Sequence, residues 1–241
     1  MLLSAGTATF DVDGVVFDKD GTLISLESYW LAPSRLWIAV AAGGSTDLER
    51  TLDRTLGLAS GGERLVPDGP LATATLDDLV ELTARVLEAV GVESAVATAL
   101  EARDRAVALS ATLTPTPIGD VVGTFQRLAA AGLHLAIATT DDAAPTIVAL
   151  HVLGIENLVD VVVAADGDVQ PKPHPEVLGS IGRTFGITPD RLLMVGDSQR
   201  DADTARAGGA AGFVLVSQEQ LPRITTDAMI ASVEDLRFPA S

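Results

Sequence analysis

Val15-Val16-Phe17-Asp18-Lys19-Asp20-Gly21-Thr22 is the stretch whose reading decides the fold. A short apolar strand, Val15 to Phe17, breaks into a glycine turn and leaves Asp18 and Asp20 two residues apart at its exit. Like charges held that closely need a cation between them or a proton on one of them. The stretch therefore predicts a hard-cation site, an acid/base pair, or both. A second acidic cluster, Gly196-Asp197-Ser198 with Asp201, follows another apolar strand far down the chain.

Outward from that stretch the chain changes rhythm twice. Ser25 to Ala111 shows no strand-like alternation and reads as four helices, Leu26 to Ala42, Thr46 to Leu58, Leu76 to Val90 and Glu93 to Leu109. Leu79, Leu82, Val86 and Val90 recur at helical spacing, and Asp77 and Asp78 suit a helix start. A loop spans Ala59 to Pro70. From Leu113 onward, helices and buried strands alternate. The expected strands are Leu133 to Ala138, Leu158 to Ala164, Arg191 to Val195 and Gly212 to Val216. The expected helices are one bearing Ile118, Val121, Val122, Phe125 and Leu128, then Pro145 to Leu153, Glu176 to Phe185 and Arg200 to Ala207. Such alternation predicts an α/β fold: a doubly wound, mostly parallel sheet with helices on both faces. The expected division is a core of residues 1–24 and 112–241, with an all-helical domain of residues 25–111 inserted into it. The last twenty residues carry no readable pattern.

In open α/β sheets, ligands bind beyond the carboxyl ends of the strands. Four polar clusters are expected there: Asp18 with Asp20; Thr139, Thr140, Asp141 and Asp142; Lys172; and Asp197 with Asp201. Of 16 basic residues only two are lysines, Lys19 and Lys172. In a chain that otherwise uses Arg, a lysine points to a need for a compact point charge. Lys172 is read that way, while for Lys19 the same pattern carries less weight.

Composition bounds the partners. The 241 residues carry 33 acids against 16 bases, a formal charge of -17, which argues against nucleic acid and against an anionic membrane surface. It does not argue against a small phosphorylated ligand, because a bound divalent cation inverts the local sign. With no cysteine, disulfides, thiolate metal sites and a Cys nucleophile are excluded. The start of the sequence has neither the basic region nor the apolar run of a signal peptide, and no stretch is long and apolar enough to span a bilayer. A cytoplasmic protein is expected, as monomer or homodimer.

Asp18-x-Asp20-Gly21-Thr22, Thr139 after Leu135-Ala136-Ile137-Ala138, Lys172-Pro173, and Gly196-Asp197-Ser198-x-x-Asp201 together resemble the haloacid dehalogenase superfamily. Four ordered motifs, each at a strand end, cover the whole core, and the helical insertion resembles that family's cap. Phosphoglycolate-phosphatase-type hydrolases are the nearest look-alikes. The resemblance implies a Mg²⁺-dependent phosphatase acting on a small phosphorylated metabolite through an aspartyl phosphate, with the cap closing over the site. Asp18 would be the nucleophile and Asp20 the general acid and then base. Thr139 and the Thr140 backbone N–H would bind the phosphoryl group, with Gly21 beside them, and Lys172 would offset charge. Asp18, the Asp20 carbonyl and Asp197 would hold magnesium, with Asp201 supporting it directly or through water.

Elementary chemistry agrees. A phosphate monoester dianion repels a carboxylate nucleophile, so a hard cation and a lysine are what such a site needs. A covalent relay through Asp splits one difficult step into two. Three rivals remain. A phosphomutase would use the same residues. A haloacid dehalogenase would need neither Asp20 nor Asp197. The third is a non-catalytic phosphate-binding or regulatory module on the same fold.

Other residues are assigned as follows. Asp11-Val12-Asp13-Gly14 repeats the acidic pattern, but Thr7-Ala8-Thr9-Phe10 before it makes a poorer strand and no Thr follows its Gly, so Asp18 and Asp20 are preferred. His134, inside an apolar strand, and His151 are read as structural; His174, beside Lys172, is left open. Tyr29, Trp30 and Trp37 are read as core of the helical domain, and Asp203 as a surface acid or a competitor of Asp201. Asp141 and Asp142 depart from the family's pattern, where an amide or small polar residue is expected. Facing the site, they would disfavour substrates with a second anionic group, phosphoglycolate included.

Overall fold

Continuous apolar runs become the central strands. Every residue of Gly14–Phe17 and of Leu192–Gly196 is buried, as expected of parallel strands covered on both faces. The computed structural model describes residues 1–59, 62–67, 69–218 and 223–239. In chain order the elements are β1 (Leu2–Ala5), β2 (Ala8–Asp11), β3 (Gly14–Phe17), α1 (Leu26–Ala42), α2 (Thr46–Leu56), α3 (Pro70–Thr73), α4 (Leu76–Ala89), α5 (Ala95–Ser110) and α6 (Val121–Ala130). They continue with β4 (His134–Ala138), α7 (Ala143–Leu153), β5 (Val161–Val163), α8 (Glu176–Phe185), β6 (Leu192–Gly196), α9 (Gln199–Gly208), β7 (Gly212–Val216), β8 (Ala228–Ile230) and β9 (Leu236–Arg237).

Six strands form one sheet in the order β5-β4-β3-β6-β7-β8, and all its pairs are parallel. Alternate residues of β3 serve opposite faces. Val16 joins Ala136 and Met194 against Val177, Leu178 and Ile181 of α8 and Ala202 and Ala205 of α9. Phe17 turns the other way and meets Phe125 of α6, their ring centroids 4.8 Å apart. The register matters most for function. Phe17 pairs with both Ile137 and Val195, so β3, β4 and β6 run out at the same edge of the sheet. Because the chain steps from β3 to β4 on one side and β6 lies on the other, β3 stands at the switch point where such sheets bind ligands.

The chain divides into two compact units, residues 1–25 with 116–241, and residues 26–115. The second is helical. Ala95, Ala99, Ala102 and Ala106 put a buried small-residue stripe on α5. The Trp37 indole N–H of α1 donates to Thr83 Oγ1 of α4 at 2.9 Å, and a Thr75/Asp78 capping box starts α4. Trp37 is thus part of this unit's packing. The loop expected from Ala59 to Pro70 includes residues 60, 61 and 68, which lie outside the described ones, and it ends in the short helix α3.

Some strands differ from expectation. β1 and β2 precede β3 and form, with β9, an antiparallel three-stranded sheet. β8 extends the main sheet within the region that carried no readable pattern. The strand expected from Leu158 covers only Val161–Val163, because Glu156–Leu158 winds into a 3₁₀ turn first. Among the described residues, no helix is long and apolar enough to cross a membrane.

Candidate active site

The exit of β3 is built by backbone hydrogen bonds. The Asp18 N–H donates to the Val195 carbonyl at 2.8 Å, which keeps Asp18 in register with β6 for one residue past the strand. The chain then turns. Leu23 and Ile24 N–H donate to the Lys19 carbonyl, and Gly21 N–H donates to the Ile24 carbonyl at 2.7 Å. Gly21 has φ +85°, and a Cβ there would lie 1.8 Å from Asp197 Oδ2. Only glycine lets the turn fit against that carboxylate.

The other clusters converge on the same edge. Lys172 is buried, with its Nζ 2.6 Å from Asp18 Oδ1 and 2.6 Å from Asp201 Oδ1. Arg200 donates to the Lys172 carbonyl at 3.0 Å and fixes that loop. Asp201 is wholly buried. Its second oxygen accepts from the Ser198 N–H and hydroxyl at 3.1 and 2.6 Å, in a capping box that starts α9. Gly196 makes room for it, since a Cβ there would sit 2.4 Å from Asp201 Cγ. The Thr139 N–H donates to the Val163 carbonyl, and its hydroxyl accepts from the Asp141 N–H at 3.1 Å, which leaves its own proton for a ligand oxygen. Thr140 follows it, half-buried.

Asp18, Asp197 and Asp201 each bring a carboxylate oxygen within 4.8 Å of the others. Lys172 lies at ion-pair distance of Asp18 and Asp201. Among the described residues, no cationic side chain reaches ion-pair distance of Asp197. The electrostatics register this. Burial pushes the Asp18 carboxyl up to about 7; Lys172 opposes the rise, and the nearby Asp201 and Asp20 add to it. Burial and then the charges of Asp18 and Asp201 push Asp197 well above the usual carboxylate range. For Lys172, burial alone would lower the ammonium, but Asp18 and Asp201 outweigh it and raise it. Close hard oxygens lacking one countercharge suit a divalent cation such as Mg²⁺, so these residues fit the group.

Lys19, to which the scarcity of lysine gives less weight than to Lys172, lies at the same edge. Lys19 is completely buried, with its Nζ 2.5 Å from Asp20 Oδ2 and 3.1 Å from Asp141 Oδ2. Both lysines of the chain thus bridge carboxylate pairs at one sheet edge. The rarity of lysine was the available signal. Asp141 also differs from expectation. It does not face the site as a free anion but is buried and paired with Lys19; burial pushes its carboxyl up to about 6, Lys19 opposing. Asp142 leads into α7, and its N–H donates to Asp141 Oδ1 at 3.2 Å.

The second acidic pair is elsewhere. Asp13 accepts both Nε and Nη2 of Arg191 at 2.8 Å, and Asp11 lies 2.6 Å from Nη1. The Asp13 N–H donates to the Arg191 carbonyl, and the His134 N–H to the Asp13 carbonyl, so this cluster marks the amino ends of β3, β4 and β6. His134 is the first residue of β4 and is exposed there, its ring stacked on Phe185 at 4.6 Å between centroids. His151 is exposed and pairs with Glu156. His174 accepts the Glu176 N–H at the start of α8. Asp203 holds Gln199 and Arg206 on α9.

A parallel sheet carries an acid-and-lysine cluster at the carboxyl edge of its middle strands, and the chain belongs to the haloacid dehalogenase-like hydrolase family, whose profile matches residues 12–209. Among curated proteins it is similar to phosphoglycolate phosphatase from Escherichia coli K12, with 31% identity over 120 residues, 48% of each chain. It is also similar to phosphoglycolate phosphatase from Salmonella paratyphi A, with 35% identity over 95 residues, 39% of this chain and 38% of that one. The matched region thus spans less than half the length of these relatives. In fold it is similar to a predicted phosphoglycolate phosphatase from Haemophilus somnus 129PT, with TM-score 0.70, 20% identity, and 95% and 97% of the two chains covered. A β-phosphoglucomutase from Clostridium difficile shares the fold at TM-score 0.66, with 19% identity and 94% of each chain covered.

Proposed function

We propose that the chain is a Mg²⁺-dependent phosphatase that hydrolyses a small phosphorylated metabolite through an aspartyl phosphate on Asp18. The observation that carries this reading is the Asp197 carboxylate, set beside Asp18 and Asp201 without a cationic partner among the described residues. Asp18, Asp197 and the Asp20 carbonyl would hold Mg²⁺. When bound, the ion supplies positive charge that lets a carboxylate and a phosphate dianion approach. Asp201, with both oxygens engaged by Lys172 and Ser198, acts behind these ligands.

A carboxylate oxygen of Asp18 attacks phosphorus and the ester P–O bond breaks. Asp20 gives its proton to the departing oxygen, which leaves as an alcohol. Asp20 then takes a proton from a water whose oxygen attacks phosphorus. The bond from phosphorus to Asp18 breaks, and inorganic phosphate leaves. Thr139, the Thr140 N–H and Lys172 hold the phosphoryl oxygens, next to Gly21. The helical unit is assigned the role of the family's cap.

Asp141 does not bar doubly anionic esters such as phosphoglycolate, because it spends its charge on Lys19. The test is a panel of phosphate esters, with Mg²⁺ and with EDTA. Phosphate release that needs Mg²⁺ supports the reading. Conversion of a sugar phosphate to its isomer without phosphate release would instead make the chain a phosphomutase. No turnover of any ester would leave a binding module.

A further inference from the structure

Lys19 has no part in the scheme above, yet it is a charged residue buried completely at the site. A lysine ammonium enclosed in protein needs partners, and this one has two carboxylates, Asp20 Oδ2 at 2.5 Å and Asp141 Oδ2 at 3.1 Å. Asp141 is itself fixed. Its N–H donates to the Thr139 hydroxyl at 3.1 Å, and its other oxygen accepts the Asp142 N–H at 3.2 Å. Lys19 therefore ties the turn after β3 to the turn after β4. Asp20, held at Oδ2, keeps Oδ1 buried without a hydrogen-bond partner among the described residues. A buried polar atom without a partner calls for a reason, and a group that must carry a proton to a ligand supplies one.

We propose that Lys19, anchored by Asp141, is a positioning residue that fixes the rotation of the Asp20 carboxyl, so that Oδ1 is the oxygen that meets the departing group. This inference rests on the acid/base role given to Asp20 above. It makes Asp141 part of the acid/base apparatus rather than a filter against anionic substrates. General acid catalysis matters where the leaving oxygen is a poor leaving group and little where it is a good one. A disordered acid therefore has a signature that general loss of structure lacks.

The experiment compares Lys19→Met and Asp141→Asn with the unmodified chain on two substrates, p-nitrophenyl phosphate, with a good leaving group, and an alkyl phosphate such as glycerol phosphate. Lys19→Met should lower kcat/KM, which reports the steps through departure of the leaving group and not the hydrolysis both substrates share, by about 10²-fold on the alkyl ester, the scale of a misplaced catalytic group, and by about 3-fold or less on the aryl ester. Asp141→Asn, which keeps a hydrogen-bond acceptor for Lys19, should show the same selectivity with a smaller loss, and it carries the test if Lys19→Met does not fold. Equal losses on both substrates, or no loss, would overturn the proposal while the unmodified chain still turns over. An unmodified chain inactive on both esters would instead remove the phosphatase reading, and this inference with it.

Discussion

Asp18 and Asp20 are near neighbours in the chain, yet each meets its own lysine. Asp18 shares Lys172 with Asp201, and Asp20 shares Lys19 with Asp141. Asp197 is the carboxylate left over. Asp197→Asn is therefore predicted to weaken Mg²⁺ binding by about 10-fold or more, read by titration calorimetry; unchanged affinity would remove Asp197 from the ligand set. Asp141→Asn is predicted to leave the KM for phosphoglycolate within about 2-fold, because a buried, paired carboxylate has little charge to project; a marked fall in KM would return it to the substrate. At this scale the sequence was informative about residue types at strand ends. Asp18, Thr139, Lys172, Asp197 and Asp201 could be named because each follows an apolar run or a turn. The Lys19–Asp141 pair could not, since it depends on two turns from distant parts of the chain meeting.

Among elements, the central strands and most helices were legible because burial on both faces writes unbroken apolar runs, and helix ends carry Gly57, Gly154 and Gly186 in the left-handed conformation. β1, β2, β8 and β9 were not. They have two to four residues each, and several of them are partly exposed, too short for a period to show. The Asp11/Asp13 pair had the spacing of an active-site motif but belongs to this ribbon and its junction with β6. Arg191 holds Asp11 down to about 2 and Asp13 below its usual range. Both acids are lowered, so their contribution is present above the usual 3.8 and is lost as pH falls toward about 2. Asp11→Asn with Asp13→Asn is predicted to lower Tm at neutral pH by about 1–3 °C and to leave kcat within about 2-fold, with the Tm difference vanishing near pH 2. Loss of turnover would mean this end of the sheet takes part in the chemistry.

For the whole molecule, the site links metal, protons and stability. Asp18 is raised from 3.8 to about 7 by burial, and Asp197 is raised as well. A raised acid favours the fold below its unfolded value, and that stabilisation is lost as pH rises through the folded value, a window from 3.8 to about 7 for Asp18. With EDTA present, Tm is predicted to fall between about pH 5 and about pH 8, and saturating Mg²⁺ to restore it, by about 5 °C at the higher pH and less at the lower. A Mg²⁺ effect that does not grow with pH would show that protons and metal do not compete there. The net charge of -17 announced an acidic protein, but not that part of the acidity is gathered at one sheet edge around the chain's two lysines.

The measurement that bears most directly on the assignment is Mg²⁺-supported phosphate release from the ester panel, with Asp18→Asn and Asp11→Asn run beside the unmodified chain. The unmodified chain and Asp11→Asn should release phosphate at similar rates, and Asp18→Asn should be slower by about 10⁴-fold or more, as when a covalent nucleophile is removed. Retained turnover in Asp18→Asn would contradict an aspartyl phosphate on that residue.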